Sequence, residues 1–316
     1  MLIALLAILA GFLILTWSAD RFVAGAAATA SNMNISPMLI GLTVVSIGTS
    51  APEILVSLTS ALQGFPALAV GNALGSNIAN IGLVLGVTAL IAPLPVKAAL
   101  AKREIPLLLI ITLVAGACLL DGALTATDGI ILLTGLVATL WLMVRWQGQH
   151  PEEPLIDDDD IPDMPSGKAW FLLISGLLLL LGSSQLLVWG ATEIAQMLGV
   201  SDLIIGLTIV AIGTSLPELA ASVTSALKGH HDIALGNVIG SNVFNLLAVL
   251  SVPGLVAPTV LESAVVVRDY PVMLGMTLLV ALLCLVGKKP RSLSRLTGIL
   301  LLTIYALYST WLFITL

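Results

Sequence analysis

The chain reads as an all-α integral membrane protein of ten transmembrane helices arranged as two inverted five-helix repeats. Three observations lead to that reading. The 316 residues are 58% hydrophobic and only 9% charged, with a mean hydropathy of +1.11, which leaves too little polar surface to cover a soluble globule. Apolar runs long enough to cross a bilayer, about 17 to 25 residues, recur along the whole length. One polar-studded stretch, Gly41-Leu42-Thr43-Val44-Val45-Ser46-Ile47-Gly48-Thr49-Ser50-Ala51-Pro52-Glu53, returns 165 positions later as Gly206-Leu207-Thr208-Ile209-Val210-Ala211-Ile212-Gly213-Thr214-Ser215-Leu216-Pro217-Glu218.

The same offset carries Gly71-Asn72-Ala73-Leu74-Gly75-Ser76-Asn77-Ile78-Ala79-Asn80 onto Gly236-Asn237-Val238-Ile239-Gly240-Ser241-Asn242-Val243-Phe244-Asn245. It still holds at Arg103-Glu104-Ile105-Pro106 against Arg268-Asp269-Tyr270-Pro271. Identity is densest at Gly, Pro, Ser, Thr, Asn and Glu, residues that an apolar segment otherwise avoids. Two half-chains of one design explain this, and chance similarity of greasy helices does not.

Taken in order, the spans are Leu2 to Trp17, Pro37 to Leu62, Ala67 to Ala92, Ile105 to Leu120 and Gly129 to Trp146, then Ala169 to Trp189, Leu203 to Leu227, Ile233 to Ala257, Tyr270 to Val286 and Leu296 to Phe313. The first run lacks the basic stretch of a secretory signal and stands opposite the sixth, so it reads as a mature helix. The halves are residues 1–147 and 169–316, joined by an acidic linker, 148–168, that includes Asp157, Asp158, Asp159 and Asp160. That linker reads as a solvated, disordered cytoplasmic segment. It also accounts for much of the net charge of -6, which gives no reason to expect a nucleic-acid partner. His150, His230 and His231 read as solvated loop residues, and Cys118 and Cys284 as buried space-fillers with neither a disulfide nor a metal cluster in prospect.

Orientation follows from Lys and Arg. With the N-terminus outside, the cytoplasmic connections hold Lys97, Lys102, Arg103, Arg145, Lys168, Lys228, Lys288, Lys289, Arg291 and Arg295, and the outer ones only Arg268. Arg21 can snorkel from the inner end of the first span, with Asp20 as its expected local partner. Five spans per half is an odd number, so corresponding helices run in opposite directions. The two motif copies then face each other at mid-membrane.

Glu53 and Glu218 carry the chemistry. A carboxylate at mid-bilayer costs roughly 2.5 to 3.5 kcal/mol on insertion scales, and no Lys or Arg lies within the neighbouring spans. Mobile cations or protons are the simplest compensation. Pro52 and Pro217 have no N–H for the carbonyls of Gly48 and Gly213, so each motif is a predicted helix break with free carbonyls. Hydroxyls flank both breaks, Thr49 and Ser50 in one half and Thr214 and Ser215 in the other. The next span adds Asn72, Ser76 and Asn80 on one helix face, matched by Asn237, Ser241 and Asn245. Such an all-oxygen shell suits calcium or sodium, whereas zinc or copper would want His and Cys. Gly71, Gly75, Gly236 and Gly240 read as close-packing positions, and Asn77 and Asn242 as candidates for bonding between helices.

At these residues the sequence resembles the cation/calcium exchanger superfamily, the sodium/calcium exchangers and their bacterial relatives, over nearly the whole chain. The resemblance implies the sodium/calcium exchanger fold, with calcium moved against sodium or protons. It also implies alternating access by sliding of the first and sixth helices past a core bundle. By motif position it makes Glu53 and Glu218 the central calcium ligands, with oxygens from Thr49, Ser50, Thr214 and Ser215. Ser76, Asn80, Ser241 and Asn245 would complete the cation sites, together with the carbonyls of Ser46 and Ala211.

One departure matters, because several family members carry Asp where this chain has Asn245. Two carboxylates balance one calcium, two sodium ions or two protons, so the coupling ion stays open, and the potassium-dependent branch is disfavoured. The expected substrates are calcium and sodium ions, with no cofactor, no nucleic acid and no obligate protein partner. The expected location is a multi-pass inner membrane protein. A channel would not need its own pair of half-sites, and an intramembrane enzyme would need a His-Glu-x-x-His motif or a Ser with an embedded His or Lys. An antiporter, not an enzyme, is therefore the expectation.

Overall fold

The computed structural model describes residues 1–149, 164–199, 211–286 and 291–315. The acidic run Asp157 to Asp160, His150, Lys288, Lys289 and the first half of the seventh span lie outside the described residues. In chain order come α1 (Leu2–Asn32), α2 (Pro37–Thr49), α3 (Ala51–Leu62), α4 (Pro66–Ile91), β1 (Leu94–Pro95), α5 (Ile105–Leu119), β2 (Ala123–Leu124) and α6 (Ala126–Gln149). Then follow α7 (Ser166–Met197), α8 (Ala211–Thr214), α9 (Leu216–Leu227), α10 (His231–Val256), β3 (Thr259–Val260), α11 (Tyr270–Leu285), β4 (Ser292–Leu293) and α12 (Arg295–Thr315).

Positions 165 apart adopt matching local structure. A π-helical turn opens at Asn80 in α4 (Asn80–Val84) and another at Asn245 in α10 (Asn245–Val249). Two more, Leu100–Glu104 and Val265–Asp269, precede α5 and α11. Inserted turns of this kind gather at functional sites. Gly64 (φ 84°) and Gly229 (φ 78°) end α3 and α9 in the left-handed region that glycine reaches without steric cost.

Among the described residues, seven helices are long and apolar enough to cross a membrane, and α2 with α3, bent by 44°, makes an eighth. Of the ten expected spans, the fourth is the 15-residue α5, whose approach carries Lys102, Arg103 and Glu104. The seventh is described only from residue 211 onward. The first and sixth spans are longer than the sequence suggests, at 31 and 32 residues. Polar Asp20 and Arg21 lie inside α1, where a helix tolerates them, and do not end it.

Lipid offers helices no hydrophobic drive to associate, so close contact through small residues takes its place. In α1 and α7 a Cβ on Gly25 would run into the Leu173 backbone, and one on Gly176 would meet Phe22 N at 2.6 Å. In the bundle centre, Gly236 approaches α2 so closely that a Cβ there would lie 2.7–3.0 Å from its backbone, with Met38 O at 2.7 Å and Leu42 N at 2.9 Å. The close-packing role of Gly236 and Gly240 therefore holds. The segment that the repeat sets against Gly71 and Gly75 lies outside the described residues.

Two antiparallel ribbons, unexpected from the sequence, tie the halves together: β1 with β4, and β2 with β3. Ion pairs add to them. Lys97 reaches Asp232 at 2.5 Å, and both side chains are largely buried. Asp20 pairs with Lys228 at 2.7 Å and not with Arg21, whose guanidinium stacks 4.4 Å from the Trp17 ring centre. His230 is also corrected: it is buried at 2% exposure, not solvated, and His231 is half-buried. Cys118 and Cys284 are free and buried, as expected.

Candidate functional site

Both motifs break where proline predicts. Ser50 (φ -81°, ψ 6°) and Ser215 (φ -90°, ψ 3°) interrupt the helix in the sparsely populated bridge region, and α3 and α9 restart immediately after. The restart places Glu53 and Glu218 in the first turn of a helix, the end where unpaired N–H groups favour negative charge. Of the two carbonyls that proline frees, Gly213 O accepts the Ser184 hydroxyl of α7 at 2.8 Å.

The break brings the two halves together. The Ser50 hydroxyl donates to Glu218 Oε1 at 3.1 Å, and the Thr49 hydroxyl donates to Asn237 Oδ1 at 3.1 Å. Glu53 and Glu218 belong to the opposite motifs that the Ser50 contact joins. Both are at zero exposure, as are Ser46, Thr49, Ser50, Asn80, Ser241 and Asn245. Ser76 and Ser215 are buried, and Thr214 is half-buried.

The backbone carbonyls differ between halves. Ser46 O accepts the Ser50 N–H at 2.9 Å, with the Thr49 hydroxyl at 3.4 Å. In the second half the Ser215 N–H turns to Ile212 O at 3.1 Å, while Ala211 opens α8.

Acceptors outnumber donors here. Neither Glu53 oxygen has a hydrogen-bond partner, nor do Glu218 Oε2, Ser215 Oγ, Ser241 Oγ or either amide atom of Asn80 and Asn245. Each unsatisfied buried group costs about 1–3 kcal/mol, more when charged. Among the described residues neither glutamate is in an ion pair; the three pairs are Lys97–Asp232, Lys228–Asp20 and Arg268–Asp269. Nor does any group of three or more His, Cys, Asp and Glu come together among them. The site is thus two carboxylates in a shell of neutral oxygens, a donor set for hard cations.

The spacing puts Asn72 and Asn237 on the polar helix face and assigns them nothing more. In the fold, Asn72 Nδ2 donates to Glu53 O at 3.1 Å, and Asn237 Nδ2 donates to Glu218 O at 3.2 Å and to Ser222 Oγ at 2.9 Å. Ser57 and Ser222, one turn beyond each glutamate and 165 positions apart, are both fully buried. Their spacing from Glu53 and Glu218 was the signal available for them. Asn77 and Asn242 bond within their own helices, to Ala73 O at 3.1 Å and Val238 O at 2.7 Å, and not across to a neighbour through those nitrogens.

Known proteins match this arrangement. The family model described as sodium/calcium exchanger protein matches residues 3–145 and 168–314. The chain is 52% identical over 318 residues to a putative antiporter, CaxA, of Alkalimonas amylolytica, covering 99% of both chains. It is 41% identical over 292 residues to the inner membrane protein YrbG of Escherichia coli (strain K12), covering 90% of this chain and 89% of that one. Its fold superimposes on the sodium-calcium exchanger NCX_Mj with a TM-score of 0.83 at 34% identity, covering 97% of each chain. Matched in both halves by the family model and along its full length by relatives, the chain belongs to the sodium/calcium exchanger protein family, whose members are membrane transporters and not enzymes.

Proposed function

We propose that this protein is a secondary active antiporter that exchanges calcium for sodium across the membrane by alternating access. The observation that carries the reading is the pair Glu53 and Glu218: fully buried, contributed by opposite motifs, without an ion pair among the described residues, and ringed by acceptor oxygens. A buried charge pair of this kind needs a cation, and a cation that both neutralises and leaves is cargo. The proposed ligands are Glu53 and Glu218 with Thr49, Ser50, Thr214 and Ser215. Ser76, Asn80, Ser241 and Asn245 and the carbonyls of Ser46 and Ala211 complete the sodium sites. The names of the relatives, a putative antiporter and a sodium-calcium exchanger, point the same way.

The architecture proposed is ten helices in two inverted repeats, 1–147 and 169–316, around the linker 148–168. The N-terminus faces outward from an inner membrane. Support comes from the contacts between connections. The ribbon β1–β4 and the Lys97–Asp232 pair join segments assigned to the cytoplasm, and β2–β3 joins two assigned outside. The 165-residue register of the π-helical turns supports the repeat.

The test is uptake of radioactive calcium by proteoliposomes under an imposed sodium gradient or an imposed pH gradient. Sodium-driven uptake is expected. Uptake driven only by pH would assign the protein to proton-coupled exchange. Glu53→Gln and Glu218→Gln should each lower uptake at least a hundredfold while the protein still purifies as a folded species. Wild-type uptake in either variant would sink the ligand assignment.

A further inference from the structure

The two ends of the bundle differ at residues that the 165-residue offset makes equivalent. From the centre toward the turn at Lys228, α9 carries Glu218, Ser222 and Ser225 at i, i+4 and i+7, one helix face, and all three are at zero exposure. Asn237 of α10 donates to Ser222 Oγ at 2.9 Å, so this face is turned to α10. Ser225 Oγ has no hydrogen-bond partner, and Ser225 O accepts the His230 N–H at 2.8 Å where the chain turns into α10. Two residues on stands Asp232, bound to Lys97 at 2.5 Å, with side chains 7% and 11% exposed. Lys97 comes from the other half and is held beside the β1–β4 ribbon, where the Val96 N–H donates to Arg291 O at 2.8 Å. The backbone closes in next to the pair: a Cβ on Gly41 would lie 2.8 Å from Ile233 O. At the opposite end the equivalent face is Glu53, Ser57 and Ser60, but Glu262 and Ala67 stand where Lys97 and Asp232 do, and no ion pair can form between those two.

We propose that the polar face of α9 is the path by which cations reach the site from the cytoplasm, and that the Lys97–Asp232 pair is its gate, shut in the described state. The inference rests on the antiporter reading given above. Ser225 and Ser222 offer oxygens in steps of about 5–6 Å between the pair and Glu218. Hydroxyls suit a path because they are neutral oxygen ligands that do not hold a hard cation as a carboxylate does. Charges suit the gate. Parting an apolar seal would expose hydrocarbon to water, whereas a parted ion pair regains the hydration whose loss offsets much of its attraction while shut. A cation arriving at Asp232 also competes with the Lys97 ammonium for the same carboxylate, so cargo on that side favours the open state. The other end, with Ala67 in place of Asp232, has no such lock.

Thiol labelling reads the gate without relying on transport. Cys118 and Cys284 are replaced by Ser, Ser225→Cys is introduced, and its reaction with a membrane-impermeant thiol reagent is timed in vesicles of each orientation. Lys97→Ala and Asp232→Asn should each speed labelling from the Lys97 side by about tenfold or more, because the charge left behind draws water into that end. Ser60→Cys, the equivalent position at the other end, should label at an unchanged rate in both. The apolar pair, Lys97→Met with Asp232→Leu, should keep the parent melting temperature, since well-packed apolar residues replace a buried ion pair at little cost. Its seal then stays shut: Ser225→Cys should label no faster than in the parent, and calcium exchange with Ser225 retained should fall by about tenfold. Where a single variant fails to purify, the apolar pair decides. Parent-rate labelling in the single variants, equal acceleration at Ser60→Cys, or parent-rate exchange in the apolar pair each overturns the gate. If the parent carries no calcium under any gradient, the antiporter reading falls instead, and the labelling series still decides whether the pair seals that end of α9.

Discussion

Helix α10 and the pair α1 with α7 meet the same membrane in different ways. Burial inside the protein covers 94% of the apolar window of α10, against 33% for α1 and 28% for α7. The buried helix carries Asn237, Ser241, Asn242 and Asn245, whereas the outer pair presents Leu9, Phe12, Trp17, Phe171 and Leu178 to lipid. The difference follows from what each surface meets. Polar groups are expensive against hydrocarbon, so they collect where protein supplies oxygens and amides. The outer pair is joined internally by backbone contact at Gly25 and Gly176. Its side-chain bonds to the centre, among the described residues, include the Ser184 hydroxyl to Gly213 O and the Asp20–Lys228 ion pair. The site sits in the part that is packed on all sides, and this mostly uncovered pair of helices is held to it, among the described residues, by few polar links.

Four substitutions break or sharpen that contrast. Lys97→Ala should have the largest effect, because it leaves Asp232, 7% exposed, without its ion-pair partner at the start of α10. Loss of one member of a buried pair costs about 3–5 kcal/mol, to be read as a large drop in the melting temperature of the detergent-solubilised protein. A wild-type melting curve would mean that the buried helix is not pinned there.

Gly240→Ala comes next. Its Cβ would lie 2.5 Å from Leu42 O and 2.8 Å from Leu42 Cα, and overpacking of this kind costs about 1–3 kcal/mol. Calcium exchange should fall at least tenfold, since the same crossing of α2 and α10 carries the site. Gly182→Ala, on α7 with nothing within 4 Å, should exchange at the wild-type rate. Equal effects in the two variants would erase the distinction between buried and outer helices.

The smallest effect is expected from Lys228→Ala. Its pair with Asp20 is 33% and 55% exposed, and exposed pairs contribute about 0–1 kcal/mol, less in high salt. Exchange should change by less than twofold in 0.5 M-class ionic strength buffers of the kind that screen such pairs, on the order of a 3–10 Å Debye length. A larger, salt-insensitive loss would make this contact a firm anchor of α1.

Much of the site is legible in the sequence because it is local. Pro52 and Pro217 break their helices by removing a donor, and the glutamate that follows each must then fall in the first turn of a new helix. The 165-residue offset also pairs Ser57 with Ser222 and Asn72 with Asn237 before any coordinates are considered. What each of them bonds to is another matter. Asp20 lies beside Arg21 in sequence and pairs with Lys228. His230 sits in a short connection and is buried.

By itself the sequence determined the membrane character, the duplicated design, the two helix breaks and the pair of buried carboxylates, since composition, periodicity and proline sterics act over a few residues. Only the tertiary structure decided that Thr49 meets Asn237, that Ser50 meets Glu218, that Lys97 meets Asp232 and that β1 pairs with β4. Those outcomes depend on which segments far apart in the chain are brought within hydrogen-bond reach, which no pattern local to either segment sets.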